Sequence, residues 1–258
     1  MSKLALIITV RSGSKRLPAK CLKKIYDDVC LLEVVIRRAK KVGYQVILAT
    51  TLDKVDDKLE QLGLKEKVQV YRGSPNNKIH RWTKCFEKYK ISHAMLVDGD
   101  DPTFSYSTAK RAIEQLVKSG CDLVKAHKSL MPGFITYGIS KKGLDKLYQS
   151  AKDYYLDTDV IDVYIKNAKL TKTLIKPLTN ELVTDQVRLT VDYEEDLDFY
   201  RKVHQKIHYL EESYLIVETI INNKLNNINF FRHEDFLKNQ NNFNVEIEKN
   251  FKKDFKNG

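Results

Sequence analysis

Arg11, Lys15, Arg16 and Lys20 crowd four cations into the stretch VRSGSKRLPAK (10–20), around the small residues Ser12, Gly13 and Ser14 and the stiffening Pro18. Small residues let backbone N–H groups face a ligand, and Gly13 tolerates conformations that side chains resist. Such a loop is an anion nest flanked by charged donors, and a chain of phosphates is its natural guest. The spacing is neither the GxxxxGK[ST] of a P-loop nor GxGxxG. A basic surface turn that opens a helix would use the same residue types. Further along, Asp98-Gly99-Asp100 offers hard carboxylate oxygens of the kind Mg²⁺ takes together with phosphate. Asp100-Asp101-Pro102 also has the make-up of an ordinary turn. A third group, Asp192 to Asp196, is acidic where a helix start favours acid.

The elements that must position these groups alternate along the first 130 residues. LALIITV (4–10) is a continuous apolar run of the kind buried on both faces of a parallel sheet. Helix is expected over 30–42, 55–64, 78–90 and 107–120, the last with a glycine stop. Strand is expected over 45–51, 67–74 and 122–127, and strand then loop over 93–102. Strand–helix repetition at this spacing predicts βαβ units, and hence an α/β, doubly wound, mostly parallel sheet. Ligands of such sheets bind beyond the carboxyl ends of the strands, and both the 11–20 loop and DGDDP (98–102) directly follow strands. Beyond residue 128 the pattern is weaker. A loop and strand are expected over 131–140, part of a helix over 160–167, and a strand, turn and acid-started helix over 187–207. One more helix is expected over 214–227 and an asparagine-rich tail over 228–258. The reading is one domain, 1–227, with a small inserted lobe at about 129–187 and a tail packed on or trailing from it.

Composition narrows the function classes. The chain has 258 residues with 42% apolar content, enough for a substantial core. No apolar run approaches the roughly 18 residues of a membrane span. No small-residue cleavage site follows the first strand-like run, so a secretion signal is not expected and the cytoplasm is the default. Cys21, Cys30, Cys85 and Cys121 form no CxxC pair, which argues against structural zinc or a disulfide framework. The net charge of +11 admits a nucleic-acid partner, but lysine is abundant throughout and the tail adds solvated charge, so neither nucleic acid nor membrane is expected. His204 and His208, spaced i, i+4, read as a solvated helix face, and Trp82 as a packing anchor.

ITVRSGSKRLPAKCL (8–22) resembles the R-x-G-S-x-R-L-P-x-K signature of the cytidylyltransferase-like family. That family includes the enzymes that activate 3-deoxy-octulosonate and acylneuraminate as CMP-sugars, and the spore-coat polysaccharide biosynthesis protein F group. ILATT (47–51), VYRGSP (70–75), LVDGDDP (96–102), LTVDYEEDLDFYRKV (189–203) and EDFLKNQ (234–240) resemble further family segments in the same order. The first motif and VDxxEDL are the specific ones.

The resemblance implies a Rossmann-like nucleotide-binding fold and transfer of CMP from CTP to a small acceptor, with Mg²⁺ and release of pyrophosphate. It assigns Arg11, Ser12, Gly13, Ser14, Lys15, Arg16 and Lys20 to the triphosphate, with Arg11, Lys20 and Asp100 as the catalytic set. Asp100 and Asp192 would hold the metal; only the resemblance pairs them. Thr50, Arg72, Ser74 and Asp98 fall where the family binds the nucleotide. It also implies a homodimer, with the 129–187 lobe serving acceptor or dimer contacts. Departures stand at Asp28-Val29-Cys30, where many relatives carry Gly-x-Pro, and at Pro132 to Gly138, where spore-coat relatives carry an acidic stretch. The loss of acid there, beside Lys125, His127 and Tyr137, leads to the expectation of an anionic acceptor. Two alternatives remain: a glycosyltransferase using a nucleotide-sugar, and a catalytically inactive binding module.

Overall fold

The computed structural model describes residues 3–14, 16–151, 161–184, 186–235, 237–239 and 245. The apolar run LALIIT becomes β1 (Leu4–Thr9) and is buried almost from end to end. Leu6 and Ile8 face one core layer, Ala5 and Ile7 the other, so the strand needs no polar face. A short hairpin, β2 (Lys24–Tyr26) and β3 (Val29–Cys30), precedes α1 (Leu31–Lys40). It turns through Asp27, whose φ of +44° suits a residue that tolerates the left-handed region. There follow β4 (Gln45–Thr51), α2 (Asp57–Lys65), β5 (Gln69–Gly73), α3 (Lys78–Tyr89), β6 (His93–Asp98) and α4 (Tyr106–Ser119). Gly120, at φ +64°, ends α4 where a glycine stop is expected.

The second half supplies β7 (Leu123–Ala126), β8 (Tyr137–Ser140), α5 (Lys141–Ala151), α6 (Asp162–Asn167), β9 (Lys172–Ile175), α7 (Glu194–His204) and α8 (Ser213–Asn222). One seven-stranded sheet runs in the order β5-β4-β1-β6-β8-β7-β9. All neighbours are parallel except β8, which is antiparallel to β6 and to β7. Helices cover both faces: α1, α4, α7 and α8 on one, α3, α5 and α6 on the other. That is the doubly wound sheet expected. The 129–187 segment contributes two strands to this same sheet. At Gly138 a Cβ would lie 2.6 Å from Val124 Cγ1 and 2.7 Å from Met95 Sδ, so only glycine lets β8 sit between its neighbours.

Because β8 runs backwards, the β7–β8 connection (127–136) lies at the carboxyl ends of the parallel strands. It therefore joins the rim where the 11–20 loop and the loop after β6 emerge.

Three expectations fail. Residues 187–191 form no strand; the carbonyls of Arg188, Leu189 and Val191 accept from Asn229, Tyr200 and Lys20 side chains rather than from a ladder. The helix expected over 214–227 stops at Asn222 and gives way to short 3₁₀ turns at Leu225–Ile228 and Phe230–Arg232. His204 is no solvated position: it is 5% exposed and packs edge-on or tilted against Tyr26, Tyr200 and Tyr209. No helix of the described residues is long and apolar enough to cross a membrane.

Candidate functional site

The loop after β1 is tied down by an acid that sequence reasoning passed over. Asp56, 1% exposed at the start of α2, accepts the Ser12 N–H at 2.8 Å. The same carboxylate takes the hydroxyls of Thr50 and Thr51 at the end of β4. Burial opposes its charge, but these hydrogen bonds outweigh burial and hold its pKa below the usual carboxylate value. Thr50 thus serves the loop through Asp56. The Ser14 N–H turns back to the Ser12 carbonyl at 3.0 Å, and the Ser14 hydroxyl accepts the Leu17 N–H at 3.3 Å. Gly13 does not use its conformational freedom: a Cβ there would meet nothing within 4 Å, and among the described loop residues the left-handed one is Ala19, at φ +52°. Arg11, half-buried, leads the loop off β1. Lys15 lies outside the described residues.

Lys20, at the loop's end, is the centre of the site. Its ammonium donates to Asp100 Oδ2 at 2.6 Å, to the Val191 carbonyl at 2.6 Å and to Asp192 Oδ1 at 3.2 Å. Burial opposes this charge, yet Asp100 and Asp192 outweigh it and raise the lysine pKa. A backbone bond from Val191 N–H to the Asp100 carbonyl, 3.2 Å, stitches the two acidic segments together. Arg16 donates to Asp192 Oδ1 at 2.6 Å, and Arg188 to Asp192 Oδ2 at 3.1 Å. Burial would raise the Asp192 pKa, but Lys20, Arg16 and Arg188 prevail and hold it at about 2. The loop after β6 reaches this cluster through Gly99, whose Cβ would lie 2.8 Å from that of Val10. Next to it Asp101 is buried; burial, with Asp100 and Asp98 alongside, pushes its carboxyl well above the usual range.

On the other flank, Asp98 closes β6. Lys78, at the first position of α3, reaches Asp98 Oδ1 at 3.0 Å and stacks 5.3 Å over the Trp82 ring. Thr136 donates to Asp98 Oδ2 at 3.2 Å. Trp82 does anchor packing, and its indole N–H also donates to Thr9 Oγ1 at 2.8 Å. Lys125 and Tyr137 are register partners on β7 and β8, and Tyr137 donates to Asp162 Oδ1 at 2.6 Å. His127, just past β7, accepts the Ser129 N–H on Nδ1 at 3.2 Å. Tyr137 thus lies on the strand next to β6, which ends in Asp98, with Lys125 one strand further out.

Two expected nucleotide residues stand apart from the Lys20 cluster. Arg72, on the edge strand β5, is committed to Asp57 at 2.7 Å, Glu60 at 2.8 Å and the carbonyls of Thr51 and Asp53. Ser74 Oγ accepts the Asn77 N–H at 3.1 Å, bracing the turn into α3. The structure adds Asp56, Lys78, Thr136, Arg188, Asp196 and Asn229 to the neighbourhood. Arg188 carried a signal, four residues before Asp192; Asn229 carried none.

The carboxylates fit a hard divalent cation, on one condition. Asp100 and Asp192 already converge on a single positive group, the Lys20 ammonium, so their oxygens can serve one cation jointly. Among the described residues no group of three or more acids, histidines or cysteines is arranged for a metal, so the remaining ligands would come from phosphate and water. The cation fits once Lys20 moves to a phosphate. A separate open depression of about 680 Å³ lies between α5 and α6, lined by Lys141, Lys142, Lys146 and Lys169.

Comparison with known proteins bears on this arrangement. A family model described as cytidylyltransferase matches residues 5–255. The chain is 25% identical over 215 residues to the spore coat polysaccharide biosynthesis protein SpsF of Bacillus subtilis, covering 80% of this chain and 88% of that one. A cytidylyltransferase structure from Leptospira borgpetersenii superposes with a TM-score of 0.78 at 21% identity, covering 88% and 97% of the two chains. A CMP:2-keto-3-deoxy-manno-octonic acid synthetase solved with CTP gives a TM-score of 0.60 at 14% identity, covering 80% and 99%.

Proposed function

The chain belongs to the cytidylyltransferase family and is a CTP-using nucleotidyltransferase, and from that premise we propose that it moves CMP onto a small anionic acceptor. An acceptor oxygen attacks the α-phosphorus of CTP; that P–O bond forms, the α–β bond breaks, and the electron pair leaves on pyrophosphate. The observation that carries the reading is the Lys20 ammonium held between Asp100 and Asp192 beneath a loop rich in cations. Arg11, Arg16 and Lys20 supply positive charge where the leaving pyrophosphate gains negative charge, stabilising the transition state more than the ground state. Arg16, with 43% of its side chain exposed, is free to swing from Asp192 to a phosphate. Bound Mg²⁺, held by Asp100 and Asp192, would neutralise phosphate oxygens and fix them in line. Lys125 and Lys78 support an anionic acceptor on the Asp98 side. A homodimer belongs to the same reading; the exposed Leu174, Leu178, Leu182 and Val183 give it an apolar surface to use.

The test is thermal melting with each of the four ribonucleoside triphosphates, with and without Mg²⁺. A ligand at about 100 times its Kd adds roughly 2.7 kcal/mol, which for a chain this long raises Tm by roughly 5–10 °C. CTP alone should do so, and more strongly with Mg²⁺. A shift with nucleotide-sugars and none with CTP would replace the reading by glycosyl transfer on the same sheet.

A further inference from the structure

Residue 229 belongs to a stretch that reads as a polar tail, yet Asn229 is fully buried, 0% exposed. Its side-chain nitrogen donates to Asp196 Oδ1 at 2.9 Å and to the Arg188 carbonyl at 3.2 Å. Both partners can only accept, so the amide has one orientation and its NH₂ must face them. The cost falls on the other end: Asn229 Oδ1 is buried without a hydrogen-bond partner among the described residues. An orphaned buried acceptor is destabilising. A leucine would fill similar volume without that orphan, but it would take a donor from Asp196 and from the Arg188 carbonyl, so what the asparagine contributes here lies in its donor end.

What the amide holds is the frame of Asp192. Asp196 Oδ2 accepts the N–H of Asp192 at 2.8 Å and of Tyr193 at 3.0 Å, fixing the turn into α7. Arg188 meets both Asp196 oxygens, at 3.2 and 2.9 Å, and lends the same terminal nitrogen to Asp192 Oδ2 at 3.1 Å. Asn229 thus steadies Asp196 and the Arg188 backbone, and these aim the Asp192 carboxylate at Lys20. A separate contact ties the same segment to the same turn. Arg232 bridges Glu195 at 2.7 Å and lies 4.9 Å over the Tyr193 ring, a ring that Arg16 and Arg188 also flank at 5.8 and 5.6 Å.

We infer that Asn229 is a positioning residue for the reaction: through Asp196 and Arg188 it orients Asp192, making the segment after α8 part of the site. The inference rests on the reading of Asp192 as a cation-holding carboxylate. It is tested with Asn229→Leu in the full chain, by Mn²⁺ affinity in the CTP complex (electron paramagnetic resonance), by kcat and KM for CTP, and by melting temperature. Loss of a group that orients a metal-binding residue weakens metal affinity or activity about 10–100-fold. The expected result is a loss of that size in Mn²⁺ affinity and kcat, measured at a temperature where the variant is fully folded, with KM for CTP close to the parent's and a modest fall in Tm from the two lost hydrogen bonds. Asn229→Ser, which keeps a shorter donor, should show the same split in milder form and serves if the leucine variant does not fold. Unchanged Mn²⁺ affinity and kcat, or a fall in activity that only tracks a fall in Tm, would overturn the inference alone. A parent protein that binds neither CTP nor Mn²⁺ in its presence would overturn the functional reading and this inference with it.

Discussion

The ammonium of Lys20 has three oxygen acceptors within 3.2 Å, and only 10% of its side chain is exposed. An amine so placed is fully charged at neutral pH and can act on a phosphate only by exchanging one set of oxygens for another. Lys20→Ala and Asp100→Asn should each lower kcat by about 100-fold or more, the size seen when one preorganised charge-stabilising group is lost. Circular dichroism and melting should show both variants folded, because Asp192 keeps Arg16 and Arg188 and the Asp100 side chain is already 31% exposed. Near-normal turnover in both would remove the site. These residues were legible because motif and charge coincide. Arg72 was not: one sequence does not tell which neighbour a strand residue faces, and here Asp57 and Glu60 of α2 claim it. Asn229 was hidden for the opposite reason, since an asparagine-rich stretch has the composition of solvent-exposed chain.

At the scale of elements, α7 was readable from its acidic start and apolar stripe, while its last turn was misjudged. His204 closes that turn inside an aromatic cluster. Burial lowers its pKa to about 4, with Arg38 and His208 adding repulsion against a partial gain from the Ile207 carbonyl. The folded state therefore prefers the neutral ring. Unfolded histidine takes up its proton near pH 6.5, so the stabilisation is complete above that pH and is lost as pH falls from 6.5 towards 4. The loss at pH 4 is roughly 3 kcal/mol from this one group. Tm measured across that range should fall steeply in the parent and less in His204→Phe, which keeps the packing and removes the titration; parallel curves would exclude the assignment. The extended stretch 187–191 marks a different limit. Its alternating apolar pattern is that of a strand, but its carbonyls serve side chains brought from three other parts of the chain, which no local pattern records.

Across the whole molecule, the alternation of apolar runs and amphipathic stretches was enough to indicate a doubly wound sheet, since each run longer than a few residues needs cover on both faces. The place of β8 was not indicated. Strand order depends on which edges meet, and the glycine that admits β8 between β6 and β7 looks in sequence like a loop residue. That reversed strand brings Thr136 onto Asp98, so the rim is built from the first, middle and last thirds of the chain. The resting protein neutralises its own acids with its own lysine and arginines, and this bears on how it should be handled. Chelators should leave the purified protein's melting temperature within about a degree of its untreated value, since no buried carboxylate of the Lys20 cluster relies on a bound ion for balance. The same EDTA should abolish the Mg²⁺-dependent part of the CTP-induced rise. A fall of several degrees in EDTA alone would mean that the resting molecule carries a structural ion. Storage in chelator, harmful to many metal-using enzymes, should for this one be harmless and fully reversible.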